Sequence, residues 1–146
     1  LVNRDARRLF LVNQFRYPTH RNGPGWIIET VAGMVRKNER PEDAICREIA
    51  EETGYAVRTL VPIRTFYVSP GGSSERIHLF YAEIDDAVPR REGGGVSSEQ
   101  EDVELLELPY GDVPALLASD RIQDAKTIIG LEWLLARSSR SGENGA

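Results

Sequence analysis

Apolar residues along this chain recur with two different periods. In RLFLVNQFRY (8–17) they alternate: Leu9, Leu11 and Phe15 share one face of an extended chain, and Phe10 and Val12 take the other. Two apolar faces predict a strand covered on both sides. Thr19, Asn22, Gly23, Pro24 and Gly25 then read as a loop, and WIIETVAG (26–33) reads as a second strand ending at Gly33. The period changes over residues 41–53, which read as a helix. Pro41 fits the first helical position, and Glu42 and Asp43 suit the positive end of the helix dipole. Ile45 and Ile49 give an inward face four residues apart, and Gly54 suits a left-handed stop. TLVPIRTFYVS (59–69) and RIHLFYAEID (76–85) predict two strands joined through PGGSSE (70–75).

The second half continues with a Gly- and acid-rich loop, REGGGVSSEQEDVE (91–104), and a last strand, VELLELPY (103–110). DVPALLAS (112–119) predicts a short helix and DAKTIIGLEWLLAR (124–137) a longer one, with Asp124 as its N-cap. The polar end, SSRSGENGA, is expected to stay unfolded. The order strands, helix, strands, helices points to an α/β fold with a mixed sheet and helices on both faces. The expected organisation is one domain over residues 1–137 and a disordered tail over 138–146.

A chain of 146 residues, 40% hydrophobic, is long enough for one domain with a core. No run of about twenty apolar residues predicts a membrane span. The net charge of −5 argues against a nucleic-acid partner, which needs a basic face. The single cysteine, Cys46, excludes an internal disulfide and suits a reducing compartment, so a cytoplasmic location is expected. The chain opens on Leu1 and its only methionine is Met34, so native sequence is expected ahead of it. An acidic protein that handles a phosphate-bearing ligand must neutralise it locally, with arginines, backbone N–H groups or a metal cation.

The acidic charge is concentrated in CREIAEETGY (46–55). On a helix, Glu48, Glu51 and Glu52 fall within roughly 100° of arc. Like charges at that spacing cost about 0.2–0.5 kcal/mol per pair. Arg47 stands four residues before Glu51 and can pair with it. Hard divalent cations take oxygen ligands, so such a face can hold Mg²⁺. Taken alone, a solvated Glu-rich helix face is the commoner explanation. The wider spacing reverses that order. Gly33, Glu39 and then Arg47-Glu48-Ile49-Ala50-Glu51-Glu52-Thr53-Gly54-Tyr55 fill every fixed position of Gx5Ex7REUxEExGU, where U is bulky and apolar. Tyr55 stands where an aliphatic residue is usual.

This pattern resembles the Nudix box. The resemblance implies a Nudix hydrolase with an α/β/α sandwich that cleaves a nucleoside diphosphate linked to another moiety. Carried onto this sequence, Glu48 and Glu52 bind Mg²⁺ (Mn²⁺ being the alternative), Glu51 is a third ligand, and the Ala32 carbonyl joins them. Arg47 and Glu39 orient the carboxylates. SPGGSSE (69–75) is similar to a marker of the ADP-ribose pyrophosphatase branch, with Pro70 as its proline. GGGVSSEQEDVELLELP (93–109) and IQDAKTI (122–128) are similar to the GDP-mannose hydrolases. Both groups cleave a nucleoside diphosphate sugar at its pyrophosphate, giving a nucleoside monophosphate and a sugar phosphate.

In the family a glutamate from the loop matching 91–104 swings over the metals as general base or further ligand. Glu101 matches best and Glu99 is the reserve; three glycines ahead of them would let the loop close. Arg16 can pair bidentately with phosphate, and Glu29, mid-strand in an apolar run, needs a partner and resembles a substrate-contacting position. Glu75 and Lys126 are further substrate-binding candidates, with solvated loop and helix-start charges as the plain alternative. A plain hairpin turn remains the alternative for Pro70-Gly71-Gly72. Relatives of this branch carry extra N-terminal strands that build a homodimer; those strands are not in this sequence, so the dimer is an inference from resemblance. The competing functional readings are a hydrolase of other nucleoside di- or triphosphate derivatives and a non-catalytic nucleotide-sugar sensor.

Overall fold

The computed structural model describes residues 1–84 and 103–143. Among them six strands form one sheet: β1 (Val2–Asn3), β2 (Arg8–Phe15), β3 (Trp26–Glu29), β4 (Thr59–Tyr67), β5 (Arg76–Glu83) and β6 (Val103–Pro109). The helices are α1 (Tyr17–His20), α2 (Pro41–Thr53), α3 (Val113–Leu117) and α4 (Ala125–Glu143), with a 3₁₀ turn at Tyr110–Asp112 ahead of α3.

β2 is the hub. One edge pairs antiparallel with β6 from Arg8↔Pro109 to Gln14↔Val103. The other edge is shared between β1, at Arg8 and Leu9, and β3, from Val12 to Phe15. β1 pairs parallel with β5 through Val2↔Glu83, and β5 pairs antiparallel with β4. One parallel pairing among antiparallel ones makes the sheet mixed, as expected.

The alternation in β2 sorts its side chains onto two cores. Leu9 and Leu11 pack with Val2 and Tyr81 against Val113, Leu116, Leu131 and Leu134 of α3 and α4. Val12 packs with Val31 and Ala82 against Ile49 of α2. Helices therefore cover both faces, and α2 and the start of α4 approach the end of β3 from opposite sides. Phe10 meets the Tyr55 ring at 5.4 Å, so the tyrosine at the last position of the box still fills an apolar site.

Local signals account for α2. Pro41 starts it, and Gly54 ends it at φ 73° with its N–H donated to the Ala50 carbonyl. That left-handed conformation favours glycine. Four features differ from the sequence reading. Tyr17–His20 forms a helical turn in place of loop, with Pro18 in its first turn. β3 stops at Glu29 rather than Gly33, because the Thr30 N–H turns to the Thr127 hydroxyl. β1, two residues long, carries no readable period. The tail expected from residue 138 is instead helical to Glu143. Ser138 and Ser139 donate to the carbonyls of Leu134 and Leu135, and Ser138 shares a hydrogen bond with the Tyr110 hydroxyl, so the polar residues continue a docked helix.

Leu11 is wholly buried at the crossing of β2 with the α3/α4 layer. Leu11→Ala is expected to cost about 3 kcal/mol in a urea melt. Met34→Ala, at an exposed position, should cost under about 0.5 kcal/mol.

Candidate active site

α2 presents its charged face to a cleft of about 640 Å³. Arg47 organises that face. Its Nε donates to Glu39 Oε1 at 3.0 Å, and its Nη1 donates to Glu48 Oε1 at 2.7 Å and Glu51 Oε2 at 3.0 Å. Its Nη2 reaches the Met34 carbonyl and Glu39 Oε2, both at 3.3 Å. Glu39 Oε2 also accepts the Arg36 N–H at 2.8 Å, tying the loop before α2 to the same carboxylate. One guanidinium thus compensates three carboxylates. The Arg47 hydrogen bond is the main reason that the Glu39 carboxyl is held below its usual range. The Glu39 bond likewise outweighs burial and holds Arg47 above the ordinary arginine value. Burial pushes Glu48 up, against the pull of Arg47.

Gly33 makes room for Glu48. A Cβ on residue 33 would lie 1.9 Å from both Cδ and Oε1 of Glu48, so the carboxylate rests against bare backbone next to Ala32. Ala32, Gly33, Glu48 and Glu51 line the cleft together, whereas Glu52 is buried on the flank of α2 and does not line it. Carboxylates beside a backbone carbonyl form an oxygen donor set suited to a hard divalent cation. Among the described residues no three acidic, histidine or cysteine side chains already converge on one point. The Glu48 and Glu51 oxygens are instead drawn to Arg47 Nη1, which a cation held by these two carboxylates would have to displace.

A second ionic hub stands on the other wall. Glu29, 3% exposed at the end of β3, accepts from Arg16 Nε at 2.6 Å and from Lys126 Nζ at 2.5 Å. Lys126 also donates to Asp124 Oδ1 at 2.9 Å. Burial pulls the Lys126 ammonium down, but its bonds to Glu29 and Asp124 prevail and hold it above the ordinary lysine value. Asp124 Oδ2 accepts the Thr127 N–H at 2.9 Å and the Thr127 hydroxyl at 2.6 Å, capping α4. The Thr127 oxygen in turn accepts the Thr30 N–H at 2.8 Å. The start of α4 and the end of β3 are therefore locked together, with both cations facing the cleft.

Arg16, Glu29, Glu75 and Lys126 all line this cleft, as does Asp124, which the sequence marked only as a cap; Pro70, in the β4–β5 turn, does not. Arg36 also lines it and carries no sequence signal, since it occupies an unconstrained position of the box. Glu99, Glu101 and the three glycines before them lie outside the described residues. A larger cavity, about 940 Å³, lies between α2 and β5, but Glu48 and Glu51 line only the smaller cleft.

The family profile described as NUDIX domain matches residues 1–129. The chain is 42% identical over 139 residues to GDP-mannose pyrophosphatase of Pectobacterium atrosepticum, covering 94% of this chain and 70% of the relative. It is 43% identical over 139 residues to the protein of the same name in Cronobacter sakazakii, with 94% and 71% covered. Against GDP-mannose pyrophosphatase of Klebsiella pneumoniae the identity is 40% over 146 residues, with 99% and 72% covered. A cleft built from the residues of the box and likeness of this extent lead to one conclusion: the chain belongs to the Nudix family.

Proposed function

We propose that this chain is a Mg²⁺-dependent pyrophosphohydrolase of nucleoside diphosphate sugars, of the GDP-mannose or ADP-ribose type, with Mn²⁺ as the alternative cation. The observation that carries the reading is the pairing of two walls in one cleft. Glu48 and Glu51 beside Ala32 make a carboxylate wall for a cation, and Arg16 and Lys126 make a cationic wall for phosphate. The names of the relatives support the substrate class.

When bound, a divalent cation neutralises the diphosphate and acidifies the attacking water. Ala32, Glu48 and Glu51 would hold it, with Glu52 turned towards the cleft from its buried position on α2, and Arg47, anchored by Glu39, would keep the carboxylates oriented. Arg16, Glu29, Glu75 and Lys126 position the substrate, and Pro70 shapes the turn beside it. Glu101, or Glu99 in its place, takes the proton from water. A homodimer belongs to the same reading and rests on the resemblance to the nucleotide-sugar branch. The single cysteine supports a cytoplasmic location. Among the described residues no helix is long and apolar enough to cross a membrane.

Incubation with GDP-mannose and with ADP-ribose should release nucleoside monophosphate only when Mg²⁺ or Mn²⁺ is present, as scored by chromatography. No cation-dependent product from any nucleotide sugar contradicts the reading, and faster pyrophosphate release from a nucleoside triphosphate would favour the other hydrolase class. Glu52→Gln should lower kcat by about a hundredfold or more. A rate unchanged in that variant removes Glu52 from the cation site.

A further inference from the structure

Among the described residues four cationic side chains line the cleft: Arg16, Arg36, Arg47 and Lys126. Three of them are already engaged. Arg47 is shared among Glu39, Glu48 and Glu51. Arg16 and Lys126 are both bonded to Glu29, and Lys126 is bonded to Asp124 as well. That hub sets two cations against two carboxylates, so much of its positive charge is compensated before any ligand arrives. A diphosphate entering the cleft brings further negative charge towards a wall that already carries Glu48 and Glu51. Beyond the divalent ion and the Arg16–Lys126 wall, a cation that is not already bonded adds to its neutralisation.

Arg36 fits that description. Its guanidinium makes no hydrogen bond among the described residues, and its one ion pair is a long contact of 4.0 Å from Nη2 to Glu51 Oε1. The head is 60% exposed, so it moves through solvent at little cost. The backbone beneath it is fixed. The Arg36 N–H donates to Glu39 Oε2 at 2.8 Å, and the Arg36 carbonyl accepts the Glu39 N–H at 3.0 Å. Asn38, in the left-handed conformation at φ 66°, completes the turn that carries it. An anchored root with an uncommitted planar head is the arrangement that suits bidentate capture of phosphate oxygens.

We propose that Arg36 binds the non-bridging oxygens of the substrate's diphosphate, from the wall that carries Glu48 and Glu51. This deepens the nucleotide-sugar reading above and rests on it. Because the anchoring bonds use only the backbone of residue 36, replacing its side chain leaves the box loop tied to Glu39.

The test compares wild type, Arg36→Ala and Arg36→Lys in two measurements. In steady-state hydrolysis of the nucleotide sugar at saturating Mg²⁺, Arg36→Ala should raise KM about tenfold while kcat falls less than about threefold. Arg36→Lys should fall between, since it keeps the charge but loses the fork. In calorimetry, methylene diphosphonate with Mg²⁺ should bind Arg36→Ala about tenfold more weakly than wild type. An unchanged KM overturns the proposal, as does an Arg36→Ala protein whose only change is half-saturation at lower Mg²⁺; the arginine would then merely shield Glu51. If wild type hydrolyses no nucleotide sugar, the functional reading fails and the calorimetry decides Arg36 by itself. There, weaker binding to Arg36→Ala supports the assignment, and equal binding, or none to wild type, overturns it.

Discussion

The structure depends on how like charge is held together. Glu39, Glu48 and Glu51 share the guanidinium of Arg47. Without it, a helix carrying carboxylates on successive turns would repel itself across a cleft that is partly shielded from water. With it, the loop 34–39 is pinned to α2, because Arg47 also reaches the Met34 carbonyl and Glu39 takes the Arg36 N–H. The same interaction explains Gly33. Glu48 lies so close to that backbone that any side chain at residue 33 would collide with it. On the proposed reading, a bound cation would replace Arg47 as the counter-ion for the oxygens of Glu48 and Glu51, so the geometry that stabilises the helix would also ready it for metal.

The opposite wall follows the same principle with different parts. Glu29 is an anion at the end of an apolar strand, where a bare carboxylate would be costly. Arg16 and Lys126 offset that cost, and Asp124 joins Lys126 to the cap of α4. The two charged walls thus meet where β2, β3, α2 and α4 come together, and the charges of each are mutually paired. Pairing of this kind preorganises side chains and spares a ligand the work of ordering them. It also leaves most of the described positive charge of the cleft engaged, which is why the exposed head of Arg36 is proposed for a highly anionic ligand.

How much of this could be read beforehand varies with the range of the signal. The bounds of α2 were legible because Pro41 and Gly54 are local punctuation, and the split of β2 into two packed faces was legible in the alternation of Leu9, Phe10, Leu11 and Val12. The spacing from Gly33 to Tyr55 carried the box, and Arg16, Glu29, Glu75 and Lys126 do meet on one cleft. The end of β3 was not legible, since it is set by a hydrogen bond from Thr30 to a threonine 97 residues away. Nor was the extension of α4, where a serine-rich composition looks like a tail until Leu134, Leu135 and Tyr110 provide acceptors and contact. Asp124 was visible as a cap but not as a partner of Lys126, and Arg36 sits at a position that no pattern constrains.

The central claim is that the acidic face of α2 is a cation site for which Arg47 stands in. Anomalous diffraction from crystals of the protein soaked in Mn²⁺ tests it most directly. The account predicts a peak within about 2.5 Å of the oxygens of Glu48 and Glu51 and of the Ala32 carbonyl, with Arg47 Nη1 withdrawn from both carboxylates while its Nε stays on Glu39. No peak at saturating Mn²⁺, with Arg47 still bonded to Glu48 and Glu51, would contradict it.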